Sequence, residues 1–420
     1  MRAPDGPMIA FEAARIFAGR LGRHEVRKIL LVANTGWYLY NFRLPLARFL
    51  RARGDVEVVL VSPRDAYVPR LTAEGFRWIE LILDRKSVNP LRELLVVARL
   101  TGIYRTERPD AVHHFTAKCV LYGTLAARLT GVRAVVNALT GLGHVFLGSG
   151  WKARVLRPLI KNLYRRLLTA RRVRVVFQNP DDLQTFTDQK LVVPDRTILI
   201  RGSGVNLQRF RPRPGSREDA PCPIVLFAAR LNGDKGICEF VQAARVLKTE
   251  GVEAVFQVAG APDRGNPTAV GTTTLDDWRR EGAVDLLGHV DAMDDLIAQA
   301  AIVVLPTHGG EGVPRVLLEA AAMGKPIVAT DVPGCREAVL PSENGFLVPA
   351  KDARALAACI ERLLRDADLR ARMGAAGRRL MERHFDDQDV ARRTVQVYEA
   401  MGALAPAEFA AARNARSKAA

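Results

Sequence analysis

Two series of short β-branched runs, separated by longer stretches of helical period, organise the chain. The first series reads as strands at 28–34 (KILLVAN), 56–62 (VEVVLVS), 78–83 (WIELIL), 111–115 (AVHHF), 134–139 (AVVNAL) and 174–179 (RVVFQN). The second reads as strands at 224–230, 254–260, 284–290, 302–307, 326–330 and 346–349. Helical patterns lie between them, for example at 91–107 and 118–130, and later at 352–366, 370–384 and 387–402. This alternation predicts parallel sheets wrapped by helices: an α/β chain of two doubly wound domains facing one cleft.

Near residue 202 the texture changes. Residues 202–223 are rich in Gly, Pro and charge and read as an interdomain linker. The predicted organisation is a first domain at 28–205, a linker at 206–223 and a second domain at 224–385. A terminal helix at 386–402 packs back on the first domain, and 403–420 is a tail. Residues 1–27 form a leader that lacks a signal-peptide core, and no role is assigned to it.

Composition narrows the picture. The chain has 420 residues, 48% of them hydrophobic, and a formal charge of +17, which calls for a negatively charged partner. Its five cysteines, Cys119, Cys222, Cys238, Cys335 and Cys359, are widely spaced and form no C-x-x-C pair. That pattern favours a reducing compartment and argues against a disulfide or zinc framework. No stretch reaches the roughly 18 apolar residues of a membrane span. The segment 151–174 contains no acid, carries nine basic residues, and repeats apolar pairs at 155/156, 159/160, 163/164 and 167/168. Two readings stand: contact with anionic lipid, or a core-facing stripe with a solvated basic face.

In doubly wound sheets, ligands bind beyond the carboxyl ends of the strands. After strand 302–307 comes HGGEGVP, a glycine loop running into a helix with Pro314 suited to the first helical position. Free N–H groups and the helix dipole make such a loop a seat for phosphate. Glu311 is therefore expected to point away from phosphate, towards neutral hydroxyls. Glu319 lies among Val316, Leu317, Leu318, Ala320 and Ala321 and needs a partner. That partner is either the vicinal hydroxyls of a ribose or an arginine on a neighbouring helix. Arg230 and Lys235, after strand 224–230, supply cations for a diphosphate. Backbone groups around Gly288 and Val290 are placed to meet a base.

In the first domain, Asn34, Thr35 and Gly36 form a turn after the first strand. His114, Thr116 and Lys118 follow strand 111–115, and Thr140 and Gly141 lie in a third loop of the same rim. These are candidate acceptor or phosphate contacts.

Together, Arg230, Lys235, the E-x7-E pair Glu311/Glu319, GKPIVATDVPGCREAV and NGFLVP resemble a retaining nucleotide-sugar glycosyltransferase of family 4, with the two-domain GT-B fold. NTGWYLYNFRLPLARFL, PDAVHHFTAKCVLYGTLAAR and VVNALTGLGHVF are similar to bacterial members that extend polyprenyl-diphosphate-linked glycans. The resemblance spans residues 28 to about 390. It implies a UDP-sugar donor, an N-acetylhexosamine or related sugar, and transfer with retention. It also implies Arg230 and Lys235 on the donor diphosphate, Glu319 on the ribose, and Glu311 near the sugar with backbone of Gly312, Val313 and Pro314. No metal or other cofactor is expected, and no nucleic acid. The expected location is cytoplasmic, peripheral on the inner face of the cytoplasmic membrane through 151–174. Two alternatives remain at this level. A nucleotide-sugar epimerase of the same fold would convert donor alone, and a polyanion-binding protein would leave the ordered phosphate constellation unexplained.

Overall fold

A computed structural model describes residues 26–85, 87, 89–139, 151–213, 222–263, 266 and 268–406. The first sheet holds β1 (Arg27–Val32), β2 (Val56–Ser62), β3 (Arg77–Glu80), β4 (Ala111–Phe115), β5 (Ala134–Leu139), β6 (Val173–Phe177) and β7 (Thr197–Leu199). Its order is β3-β2-β1-β4-β5-β6-β7, and every described pairing is parallel. Between these strands run α1 (Leu44–Ala52), α2 (Val68–Ala73), α3 (Pro90–Glu107), α4 (Ala117–Thr130), α5 (Trp151–Leu168) and α6 (Pro180–Asp188).

The second sheet holds β8 (Ile224–Ala228), β9 (Val255–Ala259), β10 (Asp285–Gly288), β11 (Ile302–Leu305), β12 (Ile327–Thr330) and β13 (Gly345–Val348), ordered β10-β9-β8-β11-β12-β13. Its helices are α7 (Ile237–Thr249), α8 (Thr272–Glu281), α9 (Met293–Gln299), α10 (Arg315–Ala322), α11 (Pro333–Ala338), α12 (Ala353–Arg365) and α13 (Ala367–His384). α14 (Asp387–Ala400) closes the series.

The predicted strands are present, though most end one or two residues sooner than the apolar runs. β7 was not anticipated: three residues give a pattern too short to separate from a loop. The central strands are buried on both faces, which is why they read as continuous apolar runs. One core layer under the first sheet gathers Val96 and Leu100 of α3, Val120 of α4 and Leu168 of α5.

The chain returns at its end to the first domain. Val390, Ala391, Val395 and Tyr398 of α14 join the core beside α1. Arg53 reaches Glu399 at 2.9 Å and the Ala405 carbonyl at 2.7 Å. The passage out, near Val205, lies beside the passage back. Val205 N donates to Phe385 O at 2.8 Å, and Asp387 N donates to Val205 O at 3.1 Å. Gly204 has φ +76°, and a Cβ there would sit 2.6 Å from Asp387 Cα, so only glycine lets the two backbones approach this closely.

Inside that contact His113 Nδ1 and the Tyr398 hydroxyl are hydrogen-bonded at 2.6 Å, both buried. His113 Nε2 has no partner. Burial holds the ring's pKa well below the ordinary histidine value, so it is neutral. Tyr398→Phe leaves the second ring nitrogen unpaired as well, at a cost of about 1–3 kcal/mol. The expected result is a lower urea midpoint with an unchanged slope.

Candidate functional site

In both sheets the strand order reverses once, between β1 and β4 and between β8 and β11. Loops leaving those neighbouring strands diverge and open a crevice. Arg230 and Lys235 follow β8, and Glu311 follows β11, so the sequence candidates converge on the second reversal.

The two loops are tied together. A 3-10 turn at Gly233–Lys235 leads to Gly236 at φ +74°, the N-cap of α7. A Cβ on Gly236 would sit 1.9 Å from Pro306 O, so glycine allows the loops to touch. The Asp234 carbonyl accepts from Thr307 Oγ1 at 3.1 Å and from His308 N at 2.8 Å. His308 Nε2 lies 3.1 Å from Glu239 Oε1 on α7. This anchorage holds the glycine loop over the Lys235 side chain.

Lys235 is buried, and its ammonium rests against the Glu311 carboxylate. The expectation that Glu311 would turn away from the cationic seat is corrected here. A buried amine needs a counter-charge, and Glu311 supplies it. Burial pushes the Lys235 pKa down to about 8, and the nearby Arg230 guanidinium pushes the same way. Arg230 is half exposed and donates to Asp263 Oδ2 at 2.7 Å. Arg85, from the first domain, approaches the same carboxylate at 3.8 Å.

α10 begins one residue later than expected, with Pro314 at the N-cap and no side-chain cap. Of the loop's backbone, Gly312, Val313 and Pro314 are buried. Val313 N donates to Gln178 Oε1 of the first domain at 3.3 Å. Glu319 is buried, with Oε1 2.6 Å from Arg315 Nε. Its arginine partner thus sits one turn back on its own helix, not on a neighbouring one. Burial raises the Glu319 pKa, and Arg315 opposes that rise. The Arg315 guanidinium also lies 5.4 Å from the Phe42 ring centroid across the cleft. Gly288 has φ +72°, and its carbonyl accepts from Gly260 N at 2.7 Å. Val290 is half-buried, and the residue after it, Asp291, accepts from Tyr67, just before α2, and from Arg70 of α2 in the first domain, each at 3.3 Å.

The first domain is mixed. Asn34, Thr35 and Gly36 follow β1 at the reversal, and Thr35 Oγ1 caps the next turn by accepting from Tyr38 N at 3.0 Å. Thr116 follows β4 with φ +72°, unusual for a β-branched residue. His114, expected at the acceptor or phosphate loop, is instead fully buried. Its Nε2 meets the Tyr104 hydroxyl and its Nδ1 meets Asn137 Oδ1, both at 2.8 Å. Burial lowers its pKa to about 4, which marks a neutral core group. Lys118, expected in the same role, is also committed elsewhere. Its Nζ donates to Asp84 O at 2.9 Å, Ser87 O at 2.6 Å and Glu93 Oε1 at 2.8 Å, which fastens the loop before α3. Thr140 and Gly141 lie outside the described residues.

Sequence reasoning missed Asp263, Gln178, Glu239 and Arg315. Only Arg315 left a readable signal, its i, i+4 spacing to Glu319.

A family model described as glycosyl transferases group 1 matches residues 222–366, and one described as glycosyl transferase 4-like matches 28–179. The "Putative colanic acid biosynthesis glycosyltransferase WcaL" of Escherichia coli (strain K12) is 32% identical across 88% of this chain and 89% of its own. The N,N'-diacetylbacillosaminyl-diphospho-undecaprenol alpha-1,3-N-acetylgalactosaminyltransferase of Campylobacter jejuni is 29% identical across 89% and 98%. Among solved structures, Anabaena HepE in complex with UDP-glucose superposes with a TM-score of 0.71 at 20% identity, covering 90% of this chain and 100% of that one. At that identity the likeness speaks for the fold.

Proposed function

The chain belongs to the family 4 glycosyltransferases of the GT-B fold, and on that premise we propose that it moves a sugar from a UDP-sugar to a polyprenyl-diphosphate-linked glycan, with retention at the anomeric carbon. The observation that carries the reading is the buried Lys235 ammonium against Glu311, at the reversal point of the second sheet.

Transfer builds negative charge on the departing diphosphate. Preorganised cations in a site shielded from water stabilise that charge most when it is largest. Arg230 and Lys235 take this role, so the reading needs no metal. Asp263 and Glu311 neutralise them between turnovers. Once diphosphate replaces Glu311 as the counter-charge of Lys235, the carboxylate is released towards the sugar hydroxyls. Glu319 holds the ribose, with Arg315 orienting its carboxylate. Backbone groups at Gly288 and Val290 meet the base, and those at Gly312–Pro314 line the diphosphate. The acceptor enters past Asn34, Thr35, Gly36 and Thr116.

Two relatives support the acceptor class. One is the Campylobacter transferase, and the other is the Escherichia coli UDP-Gal:alpha-D-GlcNAc-diphosphoundecaprenol alpha-1,3-galactosyltransferase, 26% identical across 69% of this chain and 72% of its own. The second also supports a UDP donor. Among the described residues no helix is long and apolar enough to cross a membrane. On this reading a lipid-linked acceptor is met at the surface of the inner leaflet. α5 serves that contact. Tyr164, Leu167 and Leu168 face the core, whereas Arg165 and Arg166 are exposed.

The test offers a panel of UDP-sugars with bacterial membrane extract and measures the mass of the lipid-linked product. One added hexose or N-acetylhexosamine with UDP released is expected. An epimer formed from donor alone, with no lipid product, overturns the reading.

A further inference from the structure

We infer that the first two turns of α3 form an apolar wedge that seats in the headgroup–acyl boundary of an anionic bilayer, an inference that rests on the lipid-linked acceptor proposed above. α3 buries Val96, Val97, Leu100, Ile103 and Tyr104 against the sheet. That stripe accounts for an ordinary surface helix. The opposite side of its N-terminal half is also apolar. Leu91, Leu94 and Leu95 are 74%, 64% and 68% exposed, and Ala98 is exposed beside them. Their spacing of i, i+3, i+4 and i+7 is a second helical stripe, facing solvent. The C-terminal half does not continue it, since Arg99, Arg105 and Thr106 are exposed there. Ile82, on the segment leading into the helix, is 74% exposed.

The wedge is held in place. Lys118 fastens Asp84, Ser87 and Glu93 through one ammonium, and Asn89 caps α3 by accepting from Leu91 N at 3.0 Å. Arg85, on the same segment, lies 3.8 Å from Asp263 at the cleft, which puts the wedge beside the cleft's rim.

Charge selects the occupant. Arg92 and Arg99 are exposed on this helix, while its nearest acid, Glu93, is committed to Lys118. α3 and α5 flank α4 in one layer over the sheet, so the exposed leucines share a layer with the basic helix. Apolar side chains bordered by arginine match an anionic membrane surface.

The experiment is co-sedimentation of the full chain with phosphatidylglycerol–phosphatidylethanolamine vesicles, at low salt and at high salt. Salt screens the arginine contribution and spares the apolar one. The wild type is expected to keep measurable binding at high salt. Leu94→Gln/Leu95→Gln is expected to weaken it by at least about tenfold, because each leucine removed from water is worth roughly that factor. Thermal unfolding of the double variant, and its transfer to a short-chain water-soluble acceptor, are expected to stay unchanged. Vesicle binding equal to wild type at both salts overturns the inference. So does wild-type binding that vanishes entirely at high salt, or a wild-type dimer that the double variant loses. Failure of the wild type to transfer sugar to any acceptor would count against the proposed function instead, and the vesicle result still decides the wedge.

Discussion

Replacing Lys235 by alanine is expected to lower kcat/KM for sugar transfer by about 10²–10³, the usual cost of deleting one preorganised stabiliser of leaving-group charge. The side chain is buried with Glu311 against it, so no neighbouring lysine can substitute. pH provides a second readout. The Lys235 pKa is pushed down to about 8, and the charged form is the one that stabilises the diphosphate. kcat/KM should therefore fall as pH rises through about 8. Lys235→Arg should flatten that limb, because arginine stays protonated. Donor binding near that pH should take up protons, since diphosphate raises the amine's affinity for them. Folding runs the other way. The unfolded chain, with lysine near 10.5, holds more protons between about 8 and 10.5, so this residue's contribution to stability rises with pH across that window. Near-wild-type transfer by Lys235→Ala would remove the assignment.

Glu319→Gln is expected to cost about ten- to a hundredfold in kcat/KM, chiefly through donor KM. Charge-assisted hydrogen bonds to hydroxyls are worth about 1.5–3 kcal/mol. The sharper measurement compares UDP-sugar with its 2′,3′-dideoxyribose analogue. Wild-type enzyme should discriminate strongly and Glu319→Gln weakly, which isolates the interaction as a double-mutant cycle does. Arg315→Met is expected to lower stability, because a buried carboxylate loses its partner, and to weaken discrimination in part, because the carboxylate loses the group that orients it. Full discrimination by Glu319→Gln would leave Glu319 as a structural ion pair.

Much of the fold was legible because burial on both faces writes a strand as an unbroken apolar run. β2, β4 and β5 can be read to the residue this way. β7 could not, since a three-residue edge strand has no period to detect. Lys235 and Glu311 were legible from glycine spacing and the rule that chemistry follows strand ends. His114 misled for the same reason. It ends a strand, but Tyr104 and Asn137 satisfy it from other elements, and one-dimensional pattern carries no trace of such partners. The Asp263–Arg230 and Gln178–Val313 contacts were invisible on the same grounds.

The paired passages at Val205 and Asp386 have a mechanical consequence. Two crossings between lobes would ordinarily restrain relative movement at two separate points. Here they are stitched side by side, with Gly204 drawn onto Asp387, so they act as a single spine. The lobes can swing about that spine as covers about a binding. Away from the spine the lobes meet through Tyr67 and Arg70 to Asp291, Arg85 to Asp263, Arg201 to Glu337 and Gln178 to Val313. Swinging the lobes apart about that spine breaks these contacts, the buried Gln178–Val313 bond among them, while the seam and the cores on either side stay intact.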